Sequence, residues 1–301
     1  MAGLQNHLNE IKKTTLYCYL YLISFLDMKT TVKRRQPRKF FLMTFLFSWL
    51  VWGMMILFPP ADNFFVPLLF LGAFGPSVIA LFLVSLEGGI QSLKEFAHRI
   101  WDFRRIGWKW YLFIFLFFPG LLLIGYSIIF LLGGEVPDLN TYFGGINTIS
   151  DFFLLLIFML LGGPLAEELG WRGYIQEPLQ GKWGKLRASL IIGFFWVVWH
   201  LPLFFIEGTS QSQKGFGIAF WSWTLQLFFL SIIFTWVYNG TCRSILAAIL
   251  LHLMANFAYP LNLDITGEIV FTVVRFAVLI PLIMAWTGKL SRQEMHTQIS
   301  G

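Results

Sequence analysis

The chain has 301 residues, 57% of them hydrophobic and only 13% charged, with a formal net charge of +6. Soluble domains carry about 25% charged residues, so a soluble globular fold is excluded and an all-α polytopic protein in a lipid bilayer is expected. The basic residues fall in short loops, where membrane orientation accounts for them, so no nucleic-acid partner is expected.

Residues 1–39 read as a basic, cytoplasmic N-terminal extension. Within it, Leu16–Leu26 is apolar but shorter than the roughly 20 residues that a span needs. Lys12 and Lys13 precede it as in a signal peptide, yet no small-residue cleavage site follows. Residues 40–288 form a membrane domain with eight expected spans. These are Phe40–Phe58, Phe64–Leu86, Trp110–Leu132, Phe152–Gln176, Ser189–Ile206, Phe216–Tyr238, Ser244–Tyr259 and Ile269–Trp286. Ile90–Trp101 has Leu93, Phe96, Ala97, Ile100 and Trp101 at helical spacing and reads as a helix lying on the membrane surface. Residues 289–301 form a short tail. Cys18 and Cys242 lie in or beside apolar segments, so neither a disulfide framework nor a cysteine-based metal site is expected.

Loop charge sets the expected orientation. Lys33, Arg34, Arg35, Arg38 and Lys39 precede the first span, and Lys94, Arg99, Arg104, Arg105 and Lys109 lie between the second and third. Lys182, Lys185 and Arg187 follow the fourth. The alternate loops hold Asp62, then Glu135 and Asp138, then Glu207 with Lys214, then Asp264 and Glu268. This asymmetry places both termini in the cytoplasm, and the plasma membrane is the expected location.

The fourth span carries the chemistry. It ends in Leu-Gly-Gly-Pro-Leu-Ala-Glu-Glu-Leu-Gly-Trp-Arg-Gly-Tyr-Ile-Gln, from Leu161 to Gln176. Each charged group at a helix centre costs about 2.5–3.5 kcal/mol on insertion scales, so such groups usually mark function. Glu168 and Arg172 share a helix face and can pair. Glu167 lies about 100° round the axis, without that partner, free to titrate or to hold a water. The plainer reading is a charged anchor at the aqueous end of a helix. Gly162, Gly163 and Pro164 predict a loosened helix just before the pair; Gly170 and Gly173 fit close helix approach or simple packing equally well.

His200 and His252 also lie inside spans. A lone helix histidine is more often a hydrogen-bonded packing residue than a catalytic one. His252 and Asn256, four apart, aim at one neighbour, although both residue types also serve as interhelical hydrogen-bonding groups. By helical rise, His200 lies roughly 17 Å and His252 roughly 12 Å from the cytoplasmic start of its span, and Glu167 roughly 13 Å from the end of its own. The depths overlap, so one pocket can hold all three. A glutamate and a histidine can polarise a water, and a histidine with an asparagine amide can donate to an oxyanion.

Glu167-Glu168-x-x-x-Arg172, a histidine motif ending at His200, and His252-x-x-x-Asn256 resemble the three motifs of the CAAX prenyl protease and bacteriocin-processing family, over about Phe152–Tyr259. The resemblance implies an intramembrane endopeptidase acting on membrane-associated peptides or proteins, with no obligatory metal or other cofactor. It implies that Glu167 is the base, His200 helps hold the water, and His252 with Asn256 receives the oxyanion. Glu168 and Arg172 would shape the pocket. The family usually has phenylalanine four residues before the second-motif histidine; here Trp196 stands there and is expected as a pocket wall. CAAX-type processing and bacteriocin maturation or immunity are the settings that the resemblance suggests.

Three other readings compete. Glu167, His200 and His252 could form a zinc site, although His-Glu-x-x-His is missing. A non-catalytic immunity or scaffold protein needs none of this chemistry. A transporter would place similar polar groups at mid-membrane, but no matched pair of broken helices supports that. No oligomeric state follows from the sequence.

Overall fold

The computed structural model describes residues 35–138, 145–261 and 263–299, the stretch 286–299 by its backbone alone. The Leu16–Leu26 segment lies outside the described residues. In chain order the helices are α1 (Pro37–Leu57), α2 (Asp62–Ala73), α3 (Gly75–Trp101), α4 (Trp108–Leu131), α5 (Ile149–Gly162) and α6 (Pro164–Glu168). A π-helix follows over Leu169–Ile175, then α7 (Gln176–Trp183), α8 (Lys185–His200), α9 (Ser210–Lys214), α10 (Ile218–Gly240), α11 (Ile245–Phe257) and α12 (Ile265–Ile299). Every regular element among the described residues is helical. The protein is a polytopic all-α membrane protein.

Among the described residues, seven helical stretches are long and apolar enough to cross a bilayer. The expected span at Ser244–Tyr259 is α11, a helix of 13 residues. At 1.5 Å per residue it reaches only about 20 Å. A helix that short is tolerated at membrane depth where protein surrounds it, and Ile245, Ala247, Ala248, Ile249, Leu251, His252 and Ala255 are all buried.

The expected second span, Phe64–Leu86, is two helices. They break at Phe74, ahead of Pro76. Proline has no N–H for the carbonyl four residues back, that of Gly72. The Ser48 hydroxyl donates to that carbonyl at 2.7 Å. The amphipathic segment Ile90–Trp101 is helical, as its spacing predicts. It continues α3 beyond a kink at Gly89, whose φ of +61° favours glycine. Its Phe96 and Ile100 are buried in the protein core. A period of 3.6 marks an apolar face without saying what covers it. Of the two cysteines, Cys18 lies outside the described residues.

The expected loosening at Gly162–Pro164 is present. Thr148 and Asp151 cap the start of α5 with reciprocal side-chain bonds. The ladder breaks at Gly163 (φ −152°, ψ −71°), restarts at Pro164 and widens into the π-helix. Arg35 Nη1 donates to the carbonyls of both Gly173 and Tyr174 at 2.8 Å, at the far end of that π-helix. Ser77 donates to the Leu165 carbonyl at 2.7 Å. Side chains from α3 and from the residues before α1 therefore hold the irregular backbone. Gly170 permits the closest approach: a Cβ there would stand 2.7 Å from the Pro76 carbonyl oxygen.

Candidate active site

Three helices supply the buried polar groups: the α6–π segment, α8 and α11. Glu168 and Arg172 are wholly buried. Arg172 Nη1 lies 3.1 Å from each Glu168 carboxylate oxygen. The guanidinium also sits over the rings of Trp196 (4.9 Å) and Phe234 (4.5 Å), where a desolvated cation is stabilised by the π faces. The expected pair is present, but Glu168 does more than join Arg172. His252 Nδ1 meets its Oε1 at 2.7 Å, across 84 residues of chain. A carboxylate accepts, so Nδ1 carries the proton and Nε2 points away.

Glu167 is buried and is not left without partners. Trp171 Nε1 donates to its Oε2 at 3.3 Å, and Trp196 Nε1 donates to the same oxygen. Trp196 was expected as a pocket wall; its indole is in addition a donor to the carboxylate, which a phenylalanine could not be. Both indoles use one oxygen, and Oε1 accepts no hydrogen bond from the described side chains.

His200 is buried near the end of α8. Its Nδ1 meets the Trp196 carbonyl at 2.7 Å. A carbonyl only accepts, so the neutral ring is protonated at Nδ1 and keeps a lone pair at Nε2. Among the described residues no carboxylate is hydrogen-bonded to His200. Its ring packs on Trp199 and Trp223, with centroids 4.6 and 5.4 Å away. Trp196 lies beside both histidines, 6.2 Å from His200 and 5.6 Å from His252. His252 is near enough to act electrostatically on both Glu167 and His200.

His252 and Asn256 meet at the helix break. A methyl group on Gly163 would stand 3.0 Å from Asn256 Nδ2 and 3.2 Å from His252 Nε2. The absent side chain of Gly163 is the space that these two nitrogens border. The Glu167 N–H donates to the Gly163 carbonyl at 2.9 Å, so Gly163 and Glu167 lie one turn apart on a shared face.

Residues 149–258, which hold all of these groups, match the family described as Type II CAAX prenyl endopeptidase Rce1-like. A relative from Methanococcus maripaludis, CAAX prenyl protease 2, is 30% identical over 256 residues, 82% of this chain and 93% of the relative. The chain belongs to this family. It is an intramembrane endopeptidase, a multi-pass membrane protein whose substrates are peptides or proteins.

Two residues of this family member's site escaped the sequence reading. Trp171 had a signal, since it lies four residues after Glu167 on the same helix. Phe234 had none: it is one of many aromatics on α10, and only the fold brings its ring under Arg172 and 5.6 Å from His252. Among the described residues no three His, Cys, Asp or Glu side chains are grouped to hold a metal ion. Of the three that a zinc site would need, His200 and His252 flank the Trp196 indole and Glu167 accepts its N–H.

Proposed function

We propose that Glu167 is the general base of peptide hydrolysis and that the oxyanion forms at the break beside Gly163. One observation carries this reading: His252 Nε2 and Asn256 Nδ2 converge on the face of Gly163 that Glu167 shares. Glu167 Oε1 takes a proton from a water that the bare Nε2 of His200 helps to orient. The hydroxide attacks the scissile carbonyl carbon, and the C=O electrons become the oxyanion. Asn256 donates from Nδ2. His252, with its Nδ1–H engaged by Glu168, donates from Nε2 as the imidazolium. Two carboxylates, Glu167 and Glu168, then balance two cations, Arg172 and His252. When the C–N bond breaks, the proton held by Glu167 goes to the leaving nitrogen. Preorganised donors of this kind act strongly where water is excluded.

Glu168, Arg172 and Trp196 are positioning residues in this scheme. Glu168 fixes the His252 ring, Arg172 fixes Glu168, and Trp196 fixes the Glu167 carboxylate. Residues 40–288 form the membrane domain, with 152–259 as its catalytic core, 1–39 as a cytoplasmic extension and 289–301 as a cytoplasmic tail. The location is the plasma membrane. Reporter fusions at Lys182 and Asp138 are expected to read cytoplasmic and exterior; the reverse pattern overturns the orientation. Substrates are membrane-associated, in CAAX-type processing or in bacteriocin maturation or immunity. Comparing membrane proteomes with and without active protein, for a changed terminus, distinguishes these settings.

The decisive variant is Glu167→Gln. It keeps size and shape but cannot take a proton. General bases contribute about 10²–10⁴-fold in rate, so cleavage of a membrane-tethered peptide is expected to fall by that factor while the melting curve in detergent stays close to wild type. A folded variant that cleaves at the wild-type rate removes Glu167 as the base.

A further inference from the structure

α12 carries an arginine near the middle of its span. Arg275 lies ten residues into the apolar stretch Ile265–Ala285, about 15 Å along the axis. It is only 7% exposed. Its Nη1 is fully buried and has no hydrogen-bond partner, and no described carboxylate comes within ion-pair distance of the group. The ring centroid of Phe271 is 5.7 Å from the guanidinium carbon. A buried membrane arginine normally faces a partner inside the bundle, and its position marks a functional site. The hydrolytic scheme above does not use it.

Arg275 borders a cavity of about 20 Å³ between α4, α10, α11 and α12, and Gln226 lines the same cavity. Gln226 is also deeply buried, at 9% exposed, and none of the described hydrogen bonds involves its amide. The remaining wall is aromatic and aliphatic, including Phe118, Leu122, Ala255 and Phe271. A volume of this size admits about one water or one small polar group. A water would satisfy a donor but bring no charge of its own; Glu268, on the same helix, acts on the guanidinium only from a distance. An oxyanion answers both needs: the guanidinium donates to one oxygen and the Gln226 amide to the other, with charge-assisted strength.

The position ties the cavity to the reaction centre. Ala255 is the neighbour of Asn256 and lies three residues after His252. An anion beside Ala255 therefore sits within about one helical turn of the oxyanion donors in depth, on the adjoining face of α11. We propose that Arg275 and Gln226 form a binding subsite for one carboxylate-type oxyanion, supplied by the peptide substrate or by a free small anion. The proposal rests on the endopeptidase activity and is independent of which residue is the base.

Two measurements on the full-length protein test it. The first is the melting curve in sodium acetate against acetamide, at constant ionic strength. Acetate is expected to raise the midpoint of the wild type and acetamide to leave it unmoved. Arg275→Gln is expected to abolish the acetate response, and Gln226→Leu to reduce it. The second is hydrolysis of one membrane-tethered peptide with its terminus free or amidated. If the substrate supplies the carboxylate, Arg275→Gln raises KM for the free form by about tenfold and leaves kcat and the amidated form unchanged. An acetate response with equal kinetics for the two peptides assigns the subsite to a free anion. No acetate response in the wild type, together with equal effects of Arg275→Gln on both peptides, overturns the proposal. Arg275→Lys, which keeps the charge, serves if the glutamine variant does not fold. The melting measurement needs no turnover, so a failure of the Glu167 mechanism would leave it readable.

Discussion

The fourth span holds two segments with opposite surroundings. No residue of α5 is buried, and Phe153, Leu154, Ile157 and Phe158 each show more than half of their surface. From Ala166 to Glu177 every residue is buried, although this half holds three glutamates and an arginine. In a soluble protein that would be inside out. In lipid, the tails are as apolar as leucine, and association draws on packing and interhelical hydrogen bonds instead. The apolar half faces outward because lipid suits it, and the charged half is enclosed because only protein can satisfy it.

This contrast makes predictions that differ between the halves. The largest effect is expected at Glu168. Its carboxylate serves both Arg172 and His252. Glu168→Gln leaves a wholly buried guanidinium unpaired, which costs about 3–5 kcal/mol. It is expected to melt well below wild type in detergent and to lose activity, whereas Glu167→Gln loses activity alone. Equal melting of the two variants would mean that the ion pair does not hold this half in place.

A smaller loss is expected at Gly170. Its Cβ would fall 2.6 to 2.8 Å from the Cβ, carbonyl oxygen and carbonyl carbon of Pro76. Two of these are backbone atoms and cannot swing aside, so Gly170→Ala must move α3 or the π-helix. Overpacking of this kind costs about 1–3 kcal/mol. Chemical denaturation of the purified variant measures it. A change near zero would mean that the two backbones are not in contact at Gly170.

Much of this was legible in the sequence, and the gaps have physical causes. Apolar run length marks where helices cross, because a bilayer sets a minimum length. Gly162, Gly163 and Pro164 marked the break. The π-helix had no signature, since a slipped backbone ladder requires no particular side chain. The break at Phe74 was missed although Pro76 stood beside it; Ser48 makes it tolerable, and that contact is a tertiary fact. Within the site, four-residue spacings disclosed Glu168 with Arg172 and His252 with Asn256. Local spacing cannot reveal that His252 and Arg172 share one carboxylate, because that contact joins helices 84 residues apart. Nor could it show that the indole of Trp196 turns its N–H toward Glu167.

The smallest effect should come from the outward half. Leu154 on α5 is 64% exposed, whereas Leu227 on α10 is 5% exposed. Both can be changed to alanine, which removes the same atoms. Around Leu227 the neighbours are fixed, and truncation leaves a cavity. Leucine-to-alanine changes in soluble cores cost about 2–5 kcal/mol, part of it hydrophobic transfer and part of it the cavity. In a bilayer the transfer part largely cancels, so the packing part remains and Leu227→Ala should be clearly destabilised. Around Leu154 mobile lipid or detergent tails fill the gap. Leu154→Ala is therefore expected to stay within about 0.5 kcal/mol of wild type, as exposed substitutions generally do. The comparison calls for paired melting curves in the same detergent. If Leu154→Ala is destabilised as much as Leu227→Ala, α5 is covered by protein in the assembled enzyme, and the division of the fourth span into a lipid-facing half and an enclosed half fails.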